Sequence, residues 1–333
     1  MSKSIIAVHA EFPNEEACLA YLEKMRWPNG VKCLACESDR ISKFTTQETT
    51  RKRVNKKTGE VKIKTVPARH LYTCLECGRQ FTATVGTIFN DSHLPLQKWF
   101  LAVALMCNAK KGLSAKQMER DLDVHYRTAW YLNHRIRKAM VEGVEGLFTG
   151  TVEVDETYVG GKYDRRLKRA KGDKEPVVGM IERGGKVRTF HVEKVNRKTV
   201  VGKIHENISA EAELVVTDQS PIYHTLHKTR NHESVNHAIK EYVRGNIHTN
   251  TIENFWSLFK RGVIGSFHKV SIKHLHRYLS EFQYRFNNRD AENLFALVVI
   301  RLLIGSAMQY RELVAHPASE RPSATPGLDG EPF

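Results

Sequence analysis

Negative charge is scarce in this chain of 333 residues: 37 acidic side chains face 52 lysines and arginines, which leaves a formal charge of +15. Such an excess suggests a polyanionic partner, nucleic acid ahead of a membrane surface. Long apolar runs are missing too. No stretch approaches the roughly 18 residues of a membrane span, and the first residues lack the basic, apolar, small-residue order of a secretion signal. The expected location is therefore the cytoplasm, in association with the nucleoid, with no membrane partner. Cysteine is sparse, six residues in all. Four stand in two CxxC pairs, Cys33/Cys36 and Cys74/Cys77, while Cys18 and Cys107 sit inside apolar helical patterns. That distribution fits metal ligation better than a disulfide framework. The 41% apolar content is ordinary for a soluble protein, and the length allows two or three domains.

Residues 11–25 read as a capped helix, with Asn14 as cap, acids in the first turn, and Ala17, Leu19, Leu22 and Met25 as its buried side. Trp27-Pro-Asn-Gly30 breaks it. Between the two CxxC pairs lies a basic hairpin with its turn at Thr58-Gly59. The whole resembles a zinc ribbon. Cys33, Cys36, Cys74 and Cys77 supply four thiolates for one structural Zn²⁺ in a closed tetrahedral site. Three helical patterns follow, Leu96 to Met106, Ser114 to Leu122 and His125 to Met140, and the last two read as a helix-turn-helix around Asp123-Val124. Its second helix is positioned to present Arg127, Tyr131 and Arg135 to a DNA groove. The alternative is a helical linker with a basic, solvated face. Gly143, Gly146 and Gly150 mark the exit.

Beyond Gly150 the predicted order is strand, strand, strand, helix, strand, then helices. Val152 and Val154 alternate with Glu153 and Asp155, the pattern of a half-buried strand whose polar face carries Asp155. Leu214-Val-Val forms a buried run that delivers Asp218 to its end. In Glu253-Asn-Phe-Trp-Ser-Leu-Phe-Lys260 the apolar residues form one helical stripe, and Glu253 and Lys260 lie about two turns apart on a shared face. Two strand carboxylates and one helix carboxylate suit two hard divalent ions that clamp the attacking and leaving oxygens of a phosphodiester displacement. A salt-bridged strand edge with an unrelated helix acid is the competing reading. Glu156 points across the strand from Asp155 and reads as structural. Lys162 to Lys171 is a basic loop suited to phosphates or to plain solvation, Ser271 to Asn288 an amphipathic helix rich in core aromatics, and the stretch from His316 a Pro- and Ser-rich tail.

With these residues assembled, the chain resembles the insertion-sequence DDE transposases of the IS1595 (ISXO2-like) superfamily. The likeness runs from about Phe12 to Arg289. It includes Arg26-Trp-Pro, Phe81-Thr-Ala-Thr-Val-Gly-Thr-Ile-Phe89, Leu94-Pro-Leu-Gln-Lys-Trp-Phe100, Ala129-Trp with His134-Arg-Ile-Arg137, and Val154-Asp-Glu-Thr-Tyr-Val-Gly-Gly161. Thr217-Asp218, Asn250-Thr-Ile-Glu-Asn-Phe-Trp256, Lys260-Arg-Gly262 and Arg285-Phe-Asn287 complete it. The resemblance implies a multidomain α/β protein. An N-terminal helix and zinc ribbon would occupy 1–90, a helical helix-turn-helix DNA-binding region 91–148, an RNase H-like core 149–305 and a tail 306–333. It also implies a catalytic triad of Asp155, Asp218 and Glu253 on two Mg²⁺ or Mn²⁺ ions, with Lys260 and Arg261 on DNA. The implied function is the transposase of a bacterial insertion sequence, cutting and joining double-stranded DNA at transposon ends and target, as a dimer or larger assembly on DNA. A non-catalytic zinc-ribbon and helix-turn-helix regulator is the alternative, against which all three carboxylates argue. A nuclease acting on RNA–DNA hybrids is a third reading, disfavoured by the two appended DNA-binding modules.

Overall fold

The structure is a computed structural model that describes residues 3–54, 59–66, 70–143, 145–160, 162–164, 169–171, 174–236, 239 and 241–315. Its contacts divide the chain into two units. The N-terminal unit comprises Ile6–Leu101 with Val299–Ala307, and the larger unit comprises Ala102–Val298 with the chain's terminal pieces. The helical region expected at 91–148 and the core expected from 149 thus fall mostly within one unit.

The N-terminal unit begins with α1 (Ile5–Glu11) and α2 (Glu15–Arg26). Asn14 is extended, and its side chain accepts the Ala17 N–H at 2.8 Å, while Glu15 and Glu16 favour the positive end of the helix dipole. The buried residues of α2 are Cys18 and Leu22, and the expected Ala17, Leu19 and Met25 are only half-buried. The reason is the neighbouring Phe12, whose ring meets Tyr21 at 5.0 Å and Phe100 at 4.7 Å, turning the 18/21/22 stripe inward. β1 (Ile41–Thr45), β4 (His70–Cys74) and β5 (Gln80–Phe81) form one antiparallel sheet, and β2 (Thr49–Val54) with β3 (Val61–Val66) forms a separate ribbon. The expected turn residue Thr58 lies outside the described residues. Tyr72 stacks on Phe81 at 5.7 Å over a small core that holds Cys33 and Cys74. The unit is completed from far along the chain: the Ile88 N–H donates to the Leu302 carbonyl at 3.1 Å.

α3 (Leu96–Asn108) runs from the N-terminal unit into the larger one, where α4 (Ala115–Leu122) and α5 (Tyr126–Ala139) follow as a pair joined by a short turn. Ser114 caps α4 by accepting from the Gln117 N–H at 3.1 Å, and Asp123 ends it with φ of +47°. The sheet uses β6 (Thr151–Val159), and β7 (Lys162–Asp164) pairs with β8 (Arg169–Lys171) as a side ribbon. Residues 165–168 of the expected basic loop lie outside the described residues. β9 (Glu175–Glu182), β10 (Val187–His191), α6 (Arg197–Asn207), β11 (Leu214–Asp218) and β12 (His232–Val235) follow. A short hairpin, β13 (Val243–Arg244) and β14 (Ile247–His248), precedes α7 (Asn250–Gly262), α8 (Ile272–Asn287), α9 (Leu294–Ile304) and α10 (Tyr310–Val314). α10 lies where a tail from 306 was expected, and the stretch from His316 is outside the described residues.

The strand order is β10-β9-β6-β11-β12. β10, β9 and β6 run antiparallel in succession, while β11 is parallel to β6 and to β12. Alternation along β6 divides the two faces. Val152 and Val154 pack with Val200 and Ile204 of α6 on one side, and Val159 packs with Ile252, Phe255 and Trp256 of α7 and Leu279 of α8 on the other.

Candidate functional site

The parallel pairing of β11 with β6 positions two of the predicted acids. Val216 stands opposite Glu153, and Asp218 and Asp155 each lie two residues further along their strands. They therefore emerge side by side on one face of adjacent parallel strands whose spacing is about 4.8 Å, Asp218 at the end of β11 and Asp155 midway along β6. α7 covers that face. Gly179, opposite Asp155 on β9, makes room for it: a Cβ there would sit 2.3 Å from Cζ2 of Trp256. The Thr249 hydroxyl donates to Glu253 Oε1 at 2.7 Å in the first turn of α7. An open pocket of about 440 Å³ results, lined by Asp155, Glu156, Glu253, Trp256, Ser257, Lys260, Arg261 and Ile264.

Electrostatics distinguish the members of this cluster. The Asp155 carboxyl is pushed up to about 7, first by burial and then by the charges of Glu156, Asp218 and Glu253. Glu156 lies on the opposite face of β6, where it accepts a hydrogen bond from the buried Tyr223 hydroxyl. Its carboxyl is also raised, mainly by burial and against the effect of that bond. Asp218 accepts the Ser220 N–H at 3.2 Å and adds to the negative field on both neighbours. A set of hard oxygen donors whose shared charge resists ionisation fits divalent cations of the magnesium type. The three acids are not drawn onto one point. Among the described residues, the cysteine quartet is the group found with all its ligand atoms within 4.8 Å of one another.

In that quartet the Sγ atoms of Cys33 and Cys77 are 3.6 Å apart, and those of Cys36 and Cys74 are 3.5 Å apart. Both knuckles close alike: the Glu37 N–H reaches the Cys33 carbonyl and the Gly78 N–H reaches that of Cys74, with φ of 60° and 70°. Backbone N–H groups of Ala35 and Cys36 bring the Cys33 thiol down to about 6, which favours the thiolate that binds metal. All four cysteines are free of disulfides. The geometry supports a structural Zn²⁺ here.

Of the residues expected to read DNA, Lys260 and Arg261 are exposed in the wall of the acidic pocket, and Arg127 is exposed at the start of α5. Tyr131 and Arg135 make contacts within the protein. The Tyr131 hydroxyl donates to the Met308 carbonyl and its ring meets Tyr310 at 5.6 Å, while Arg135 is buried with its guanidinium 5.2 Å from the Tyr131 ring. Residues 308–314 cover this side of α5, which the helical pattern alone left open. The sequence held no sign of the hydrogen bond from Tyr223 to Glu156 or of the closeness of Trp256 to Gly179. Glu153 was visible on the polar face of the strand, but its complete burial was not.

Two protein families match the chain. Residues 148–287 match the ISXO2-like transposase domain and residues 13–80 the transposase zinc-ribbon domain, together more than half the sequence. Among curated proteins, an uncharacterized protein in transposable element ISH50 of Halobacterium salinarum is 29% identical over 82% of this chain and 91% of its own length. An uncharacterized transposase-like protein of Haemophilus influenzae is 28% identical over 34% of this chain and 90% of its own length.

Proposed function

Because the chain belongs to the ISXO2-like transposases, we propose that it binds the terminal inverted repeats of an insertion sequence and catalyses metal-dependent cleavage and transfer of DNA strands. The observation that carries this reading is that Asp155 shares a pocket with Glu253 of α7 and stands beside Asp218 of the adjacent strand, so that the charges of both act on its carboxyl. The strand order, with three antiparallel strands followed by two parallel ones, supports an RNase H-like core.

In this reading Asp155 and Asp218 hold two Mg²⁺ or Mn²⁺ ions and Glu253 completes the set. Such ions, when bound, activate the attacking oxygen and stabilise the leaving 3′ oxygen. Lys260, two turns along α7 from Glu253, grips a backbone phosphate next to the acids, and Arg261 extends the same basic edge. Trp256 packs against the glycine opposite Asp155 and keeps α7 close to the strand that bears it. Arg127, exposed in the first turn of α5, is the remaining contact from the proposed helix-turn-helix. One core has one set of carboxylates and a transposon has two ends, so at least two chains act together on DNA, in the cytoplasm.

Strand cleavage on duplexes carrying the element's own ends tests this. Asp155→Asn and Asp218→Asn are expected to lower cleavage by at least a thousandfold and leave end binding within about threefold, because they remove metal ligands rather than DNA contacts. Near wild-type cleavage by either variant rejects the site. End binding by a wild-type protein that never cleaves would instead indicate a regulator.

A further inference from the structure

Glu153 has no exposed surface, carries a carboxylate, and lies two residues before Asp155 on the same face of β6. A buried carboxylate is tolerated only when its oxygens are fully bonded. Here Oε2 accepts the backbone N–H of Thr251 at 2.7 Å and that of Ile252 at 3.0 Å. Oε1 accepts the Thr251 hydroxyl at 2.9 Å and Arg183 Nε at 2.8 Å, and His248 Nδ1 lies 3.2 Å from it. Arg183 is itself fixed, donating to the carbonyls of Asn246 at 2.6 Å and His248 at 2.9 Å. Helix α7 therefore takes its N-terminal cap from the sheet. Its own N-cap residue, Thr249, makes no side-chain cap bond and instead donates to Glu253.

We propose that Glu153 is a positioning residue for the metal site, tying the first turn of α7 to β6 so that Asp155 and Glu253 are held at working distance before any ion arrives. The inference rests on the reading of Asp155, Asp218 and Glu253 as metal ligands. Its geometric basis is a matched offset. Glu153 bonds Thr251 two residues before Asp155, and Thr251 stands two residues before Glu253. A device meant only to stabilise α7 could act at any of its turns. This one joins the turn that carries one proposed ligand to the strand that carries another. Each bond is charge-assisted or directed at the positive end of the helix, so the link is stiff as well as strong. Ligand sets depend on such supporting contacts, and their loss typically weakens metal affinity about 10- to 100-fold.

The experiment measures Mn²⁺ binding by electron paramagnetic resonance on full-length, zinc-loaded protein without DNA, together with hydrogen exchange at the Thr251 and Ile252 amides. Glu153→Gln keeps the size of the side chain but sets an amide against Arg183. It is expected to bind Mn²⁺ roughly tenfold more weakly, with first-turn amides that exchange quickly without metal and slow when Mn²⁺ is added. In the wild type those amides stay protected with or without metal. Val200→Ala, in the core on the opposite face of the sheet, supplies a destabilised variant with unchanged Mn²⁺ affinity. Should Glu153→Gln fail to fold, Glu153→Asp, which retracts the carboxylate by one methylene, is expected to show the same weakening. Mn²⁺ affinity within twofold of wild type in a folded Glu153 variant with unprotected first-turn amides would overturn the proposal and leave Glu153 a helix cap. Unchanged Mn²⁺ binding in Asp155→Asn would remove the metal-site reading itself, and the proposal with it, an outcome distinguishable from the first.

Discussion

His134 on α5 is fully buried, and neither of its ring nitrogens has a hydrogen-bond partner among the described residues. Its ring lies 4.6 Å from Trp130 and 4.7 Å from His274 of α8, in a pocket that Arg137 and Arg277 make positive. Burial, reinforced by those charges, pushes His134 far below the ordinary imidazole range. His274, facing Lys273, Arg277, His276 and Arg137 as well, is lowered to about 4, again chiefly by burial. The unfolded chain takes up these protons near pH 6.5, whereas the folded chain resists them until well below that, so stability falls as pH drops between about 6.5 and 4. Urea titrations at pH 7 and pH 5 are expected to differ by a few kcal/mol from this pair. The His134→Leu variant should narrow that difference, which separates it from acid loss of zinc at the thiolates. Recognition of His134-Arg-Ile-Arg137 and Arg285-Phe-Asn287 as motifs was possible from sequence alone. Their physical role was not, because it depends on where the two helices meet: Arg137 Nε lies 2.7 Å from Glu281, which also takes Arg285 at 3.3 Å, in a buried ionic joint.

At the level of elements, the seat of α7 on the sheet depends on one missing side chain. Gly179→Ala would drive a methyl into the Trp256 ring, and overpacking of this kind costs about 1–3 kcal/mol. Because Gly179 pairs with Asp155, the helix should lift where the acids meet, so cleavage is expected to fall by at least tenfold at temperatures where circular dichroism shows a folded protein. Wild-type cleavage there would mean that the spacing tolerates the shift. Most elements of the larger unit were legible as patterns. β6, β9, β10 and β11 alternate or run apolar, and α8 carries its aromatic stripe, with Tyr278, Phe282 and Tyr284 buried as expected. β12 was missed because His232-Glu-Ser-Val235 offers one apolar residue in four and is held by its parallel neighbour. The contacts of Tyr131 with Met308 and Tyr310 were not legible, since a helix's periodicity identifies its stripes but not a covering segment that comes from far along the chain. The acids were found because each stands out against an apolar pattern: Asp155 on the polar face of β6, Asp218 at the end of the buried run of β11, and Glu253 beside the apolar stripe of α7. Glu153 escaped because two carboxylates on one strand face look equivalent until their partners are known.

For the molecule as a whole, the formal charge of +15 opposes association of free chains and favours assembly once phosphates neutralise it. Light scattering is therefore expected to show monomers or a weak dimer without DNA and at least two chains with paired ends. Affinity for those ends should fall about 10³-fold or more between 50 and 200 mM salt if some six phosphates are contacted. A single chain that joins both ends would refute the assembly. The way the N-terminal unit is closed has a different consequence, in the order of synthesis. Ile6–Leu101 leaves the ribosome first, yet its unit is completed by Val299–Ala307, where Leu302 accepts the Ile88 N–H and a Cβ on Gly305 would meet Ile88 at 2.8 Å. At about 5–20 residues per second, the nascent unit waits on the order of 10–40 s for its last segment. The strands bearing Asp155 and Asp218 and the helix bearing Glu253 are all made within that interval. A product cut short before residue 299 would therefore lack the closing segment of its N-terminal unit.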